Sequence, residues 1–125
     1  MRRIAVVEDN PDNRLLLRAL LANDYALTEY EAGPPALVGL RRDRPDLVLL
    51  DISLPDMDGT EVLKHLRADP HLRDMPVIAL TAHAMTGDRE RYLAFGFNDY
   101  VSKPIVDEEL LFDAIARLLP RSERS

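Results

Sequence analysis

Glu8, Asp9, Asp51, Thr81 and Lys103 each follow a run of strand length: Arg3–Val7, Leu47–Leu50, Val77–Leu80 and Tyr100–Ser102. Burying a carboxylate without partners is expensive, so an Asp at the mouth of a strand as apolar as Leu47–Leu50 asks for a reason. An aspartate can attack phosphorus and form an acyl phosphate, a chemistry that needs mainly positioning and charge neutralisation. Glu8 and Asp9 beside Asp51 would crowd three carboxylates together, raising one another's pKa. A hard divalent cation relieves that crowding, and Mg²⁺ takes one or two carboxylates while keeping waters and phosphate oxygens. The Thr81 hydroxyl can donate to an anionic oxygen. Lysine occurs only at 64 and 103 in an otherwise Arg-based chain, and its compact ammonium suits one oxygen where a guanidinium fork would not. Each residue also has an ordinary reading: Asp51 as a turn cap, the acidic pair as a partner of a helix dipole, Thr81 as a strand former, Lys103 as a solvated charge.

The elements that would carry these residues are legible. Arg3–Val7 reads as β1 and Leu47–Leu50 as β3, both apolar on both faces and hence central. Asn10 followed by Pro11 starts α1, with Asn10 as N-cap, and Leu16, Leu17, Leu20 and Leu21 form its packed stripe. Ala26–Tyr30 is an alternating edge strand, β2. Pro34-Pro35 opens α2, through about Arg42. Asp58 caps α3, whose Val62, Leu63 and Leu66 face inward and which closes at Asp69-Pro70. Val77–Leu80 is β4. Thr86 and Gly96 bound α4, and Tyr100–Ser102 is a second edge strand, β5. Asp107 caps α5, with a stripe of Leu110, Leu111, Ala114, Ile115, Leu118 and Leu119 ended by Pro120. Such alternation predicts a flavodoxin-like (βα)5 doubly wound α/β sandwich with a parallel five-stranded sheet of order 2-1-3-4-5. In such a sheet, sites form beyond the carboxyl ends of the strands where the order reverses, so the five residues are expected to converge.

The 125 residues, 46% hydrophobic, suit one domain with a real core. We expect a domain over residues 1–120 and a polar tail over 121–125. No run of about 18 apolar residues marks a membrane span, and the N-terminus lacks the pattern of a secretory signal. The absence of cysteine excludes disulfides and thiolate metal sites and fits a cytoplasmic protein. A net charge of −6 argues against sequence-independent nucleic-acid binding.

The acidic pair after β1, Asp51 with LPDMDG behind it, Thr81-Ala82 after β4 and Lys103-Pro104 after β5 resemble a response-regulator receiver domain of the CheY type, over about Arg3 to Leu119. VEDNPDNR, TAHAMTGDRER and YVSKPI most resemble DivK-type single-domain regulators and the receivers of hybrid kinases. The resemblance implies that Asp51 is the phosphoacceptor. It implies that Asp9, Asp51 and the Ser53 backbone carbonyl bind Mg²⁺, with Glu8 helping through water, and that Lys103, the Thr81 hydroxyl and the Ala82 N–H meet the phosphoryl group. It further implies a cis Lys103-Pro104 bond, a Tyr100 ring that moves between exposed and buried positions, and residues 53 and 83 that tune phosphate lifetime. His65 and His71 read as surface residues. The implied partners are a sensor histidine kinase or histidine phosphotransfer protein, a downstream protein on the α4-β5-α5 face and a phosphorylation-dependent second copy, with neither nucleic acid nor membrane.

On this reading the chain is a switch and not an enzyme. A dehalogenase-type phosphatase would need a second Asp two residues after the nucleophile, where Ser53 stands. A flavin binder would need a Ser/Thr/Gly-rich phosphate loop after β1, where Glu8-Asp9 would repel phosphate. A phosphorylation-independent interaction module, or a receiver cut from a larger hybrid kinase or regulator, are the alternatives.

Overall fold

The computed structural model describes residues 2–82, 88–103, 105 and 108–119. The expectations for His83, Thr86, Pro104, Asp107, Pro120 and the 121–125 tail lie outside them. The elements alternate as β1 (Arg3–Val7), α1 (Pro11–Leu21), β2 (Ala26–Tyr30), α2 (Gly33–Asp43), β3 (Leu47–Asp51), α3 (Gly59–Ala68), β4 (Val77–Thr81), α4 (Asp88–Phe95), β5 (Asp99–Ser102) and α5 (Glu108–Leu118). All strand pairs are parallel and the order is β2-β1-β3-β4-β5, as the run pattern predicts.

Period-2 alternation divides the core into two layers. Ala5, Val7, Val48, Leu50, Val77 and Ala79 face Ala36, Leu40, Val62, Leu63, Leu66, Tyr92 and Phe97, from α2, α3, α4 and the turn after α4. Ile4, Val6, Leu47, Leu49, Ile78, Leu80 and Val101 face Leu17, Leu21, Leu111, Ala114 and Ile115 of α1 and α5. Burying one such aliphatic side chain contributes roughly 1.5–3 kcal/mol, so the three central strands anchor both layers.

The starts of α1 and α3 follow the sequence signals. The Asn10 side chain accepts from the Asp12 and Asn13 N–H groups with Pro11 at the first turn. Asp58 and Glu61 form a reciprocal capping box on α3. Gly96 has φ 118°, where a side chain would be strained. Arg67 of α3 donates to the carbonyls of Arg73, Met75 and Gly96 and to Asn98 Oδ1, tying α3 to the turn before β5.

One expectation fails. Leu110 does not belong to the buried stripe of α5: it is 56% exposed. At 100° per residue, the arc formed by Leu111, Ala114, Ile115 and Leu118 leaves Leu110 at its rim, beside a 220 Å³ groove that Arg89, Tyr100 and Arg117 also line.

Candidate functional site

The strand order reverses between β1 and β3, and Glu8, Asp9 and Asp51 lie at that point. Asp51 and Thr81 are the last residues of β3 and β4 themselves, so the sheet fixes their backbones. Glu8 donates its N–H to the Tyr30 carbonyl, extending the β1–β2 ladder by one residue, and Lys103 N–H donates to the Thr81 carbonyl at 2.7 Å. Arg14 of α1 clips the acidic turn by donating to the Glu8 carbonyl at 2.8 Å and the Asp9 carbonyl at 3.2 Å.

Strand parity decides which side chains meet. Glu8 continues the series Ile4, Val6; Asp51 continues Leu47, Leu49; Lys103 continues Val101. All three therefore turn to the α1–α5 side. Lys103 Nζ lies 3.0 Å from Asp51 Oδ1 and 3.1 Å from Glu8 Oε1. Glu8 is fully buried, Asp51 is 1% exposed, and Asp9 remains exposed. Glu8 Oε2 accepts the Asn10 N–H, and Asp51 Oδ1 accepts the Ser53 N–H, which anchors the loop that carries the Ser53 carbonyl. Glu8 is thus a direct ion-pair partner of Lys103 beside Asp51.

Gly59 sets the approach of α3. A Cβ there would lie 2.5 Å from the Asp51 carbonyl oxygen and 2.8 Å from Ile52 Cα, while its N–H donates to the Ile52 carbonyl. The glycine of LPDMDG is therefore required by backbone contact behind Asp51.

Burial, then the neighbouring Glu8 carboxylate, pushes the Asp51 carboxyl up to about 7, against the pull of Lys103 and the Ser53 N–H. Burial works against the Lys103 ammonium, yet Asp51 and Glu8 outweigh it and raise its pKa. One cation facing three carboxylates leaves the cluster with excess negative charge. Asp51 Oδ2 is buried with no hydrogen-bond partner among the described residues. Glu8, Asp9 and Asp51 each offer an oxygen within 4.8 Å of the others. An all-oxygen, net-acidic donor set with one orphaned buried oxygen fits a hard divalent cation.

Thr81 has the opposite parity. It continues Val77 and Ala79 toward the α4 side, where its Oγ1 lies 3.1 Å from the Tyr92 hydroxyl in a buried contact. Tyr92 is 5% exposed; its ring meets Phe97 edge-on at 5.9 Å and Tyr100 at 5.8 Å. Tyr100 is half-buried, and Ala82, next to Thr81, is exposed. His65 and His71 are exposed as expected.

The sequence reading placed Tyr92 on α4 without giving it a partner. The sequence reading had no signal for the i, i+4 pair Asp88 and Tyr92, both buried on a helix whose Leu93 and Phe95 are exposed. It also missed the clasp over β5, where Asp99, 3% exposed, receives Arg89 from α4 and Arg117 from α5, each at 2.6 Å.

The response regulator receiver domain model matches residues 4–116. The chain belongs to the response-regulator receiver family. It is a receiver, a phosphoacceptor switch of two-component signal transduction. The receiver is 47% identical over 105 residues to the polar-differentiation response regulator DivK of Brucella anthropi, covering 83% of this chain and 85% of DivK. It is 41% identical over 120 residues to the signal transduction histidine-protein kinase BarA of Shigella flexneri, covering 95% of this chain but only 13% of the length of BarA. Among solved structures, it superposes on the receiver domain of the sensor histidine kinase PA1611 of Pseudomonas aeruginosa PAO1 with a TM-score of 0.84 and 38% identity, covering 94% of this chain and 96% of that one. That receiver was solved with a magnesium ion coordinated in its active-site cleft. No helix among the described residues is long and apolar enough to cross a membrane.

Proposed function

We propose that this receiver accepts a phosphoryl group on Asp51 from a phosphohistidine donor in a Mg²⁺-dependent reaction and signals through protein contacts. The observation that carries the reading is the Asp51 carboxylate, buried at the strand end with Lys103 on Oδ1 and, among the described residues, no hydrogen-bond partner on Oδ2. In the transfer, a carboxylate oxygen forms the new P–O bond as the donor's P–N bond breaks. The electron pair returns to the imidazole, which takes up a proton. Lys103 holds the carboxylate in place and faces the charge that the phosphoryl group brings.

Asp9, Asp51 and the Ser53 carbonyl would hold the metal, with Glu8 as an outer partner. Bound Mg²⁺ supplies neutralising charge for the phosphoryl oxygens. Thr81 Oγ1 and the Ala82 N–H are the remaining donors to the phosphoryl group, and Thr81 must turn from Tyr92 to serve. The reading places the receiver in the cytoplasm, where ATP charges histidine kinases, with such a kinase or a histidine phosphotransfer protein as donor. It assigns the domain to residues 1–120. The groove between α4 and α5 over β5, with Leu110, Tyr100 and the Arg89–Asp99–Arg117 clasp, is the surface for a downstream protein or a phosphorylation-dependent second copy.

Acetyl phosphate with Mg²⁺ should add one phosphoryl group to the wild type and none to Asp51→Asn, read by intact mass spectrometry. Equal modification of both would remove Asp51 from its role.

A further inference from the structure

We propose that Tyr92 is the positioning residue of the switch: its phenol holds the Thr81 hydroxyl on the α4 side and must give it up when Asp51 carries a phosphoryl group. This rests on the reading of Asp51 as the acceptor.

The contact joins two buried hydroxyls 3.1 Å apart. Thr81 ends β4 with the parity that points to α4, whereas Asp51 and Lys103 have the parity that points to α1 and α5. With Thr81 as the donor in this contact, its single proton must leave the tyrosine to serve a phosphoryl oxygen. A buried tyrosine hydroxyl left without a partner is costly. The cost is relieved only if the ring moves or finds another partner, and either change passes to its neighbours. Those neighbours are Phe97 and Tyr100 by ring contact, and Arg91, whose guanidinium lies 5.3 Å from the ring centroid. Tyr100 responds through the Tyr92 ring that it touches. A ligand that differs in its contacts between two states shifts their balance; here the phosphoryl group competes with Tyr92 for one hydroxyl.

Tyr92→Phe keeps the ring and deletes the oxygen. In metal-free protein, a double-mutant cycle of Tyr92→Phe with Thr81→Val should show coupling of about fivefold in the unfolding constant, the size of one hydrogen bond. With Mg²⁺ and beryllofluoride as the phosphoryl mimic, Tyr92→Phe should bind about fivefold more tightly than wild type. The gain should vanish when Thr81→Val is already present, because no hydroxyl then needs release. A merely structural tyrosine would change affinity equally in both backgrounds, and that result, or no change, overturns the proposal. Failure of the wild type to bind beryllofluoride in an Asp51-dependent way removes the acceptor reading and the proposal together; normal wild-type binding with an unresponsive Tyr92→Phe removes only the role of Tyr92. Should Tyr92→Phe not fold, the Tyr92 ring resonances of Thr81→Val and wild type decide. They must shift on beryllofluoride binding in wild type and stay in place in Thr81→Val, and a shift in both overturns the proposal.

Discussion

Lys103 and Glu8, 95 residues apart in sequence, form an ion pair of 3.1 Å whose acidic member is completely buried. The same ammonium serves Asp51, so one cation supports two carboxylates that burial would otherwise penalise. Lys103 therefore holds the fold as well as facing the site.

Lys103→Met should destabilise the metal-free protein by about 3 kcal/mol, as expected when a buried ion pair loses one member. Adding Glu8→Gln should restore part of that loss, since it removes the charge left stranded. Urea unfolding of both variants measures the effect. A Lys103→Met midpoint equal to wild type would show that the cluster carries no such dependence.

Asp51→Asn keeps the shape of the side chain and removes one of the crowded negative charges. The metal-free melting temperature should rise by about 3–5 °C, corresponding to about 1 kcal/mol. Mg²⁺ should raise the melting temperature of wild type, because a ion bound only by the folded state stabilises it, and should raise that of the variant much less. Thermal melts with and without Mg²⁺ give both numbers.

Gly59→Ala should cost about 1–3 kcal/mol, the usual penalty of overpacking. The inserted methyl would meet backbone at the Asp51 carbonyl and Ile52 Cα, which cannot rotate away. Any relaxation moves the strand end that holds Asp51, so phosphorylation by acetyl phosphate should slow along with the loss of stability. Stability loss with an unchanged rate would separate α3 packing from the placement of Asp51.

The clasp at Asp99 makes an acid-sensitive contribution. Burial acts to raise the Asp99 carboxyl, but hydrogen bonds from Arg117, the Tyr100 N–H and Arg89 outweigh it and hold it below its ordinary value of 3.8. The folded state thus binds this proton more weakly than the unfolded chain. The resulting stability is fully present above pH 3.8 and is lost as the pH falls through the lower folded value. Asp99→Asn should be less stable than wild type at neutral pH, and the two curves should converge on acidification below pH 4. Parallel curves would place the acid response elsewhere.

The strands, their order and most helix ends were readable because the physical signals are local. Leu47–Leu50 is apolar on both faces, Asn10-Pro11 and Asp58 are caps, and Gly96 permits a positive φ. The chemistry of the site was readable because its residues stand at strand ends. The side each one faces was also encoded, in the alternation that pairs Glu8 with Val6 and Thr81 with Ala79. The Tyr92–Thr81 contact and the Arg89–Asp99–Arg117 clasp were not readable. Both depend on the placement of α4 against β5, and α4 has too weak an apolar stripe to fix its rotation from sequence.

Arg67 gives α4 a pivot at Gly96. Its guanidinium holds the Gly96 carbonyl at 2.7 and 3.1 Å, so the C-terminal end of the helix is pinned to α3. The eight residues of α4 make a lever about 12 Å long. Turning about Gly96 by about 10°, such a lever would carry its far end some ~2 Å, while the pivot itself stays still. Tyr92 sits midway along that lever, where a small displacement of one phenol is enlarged toward the Asp88 end and suppressed toward the base of the sheet.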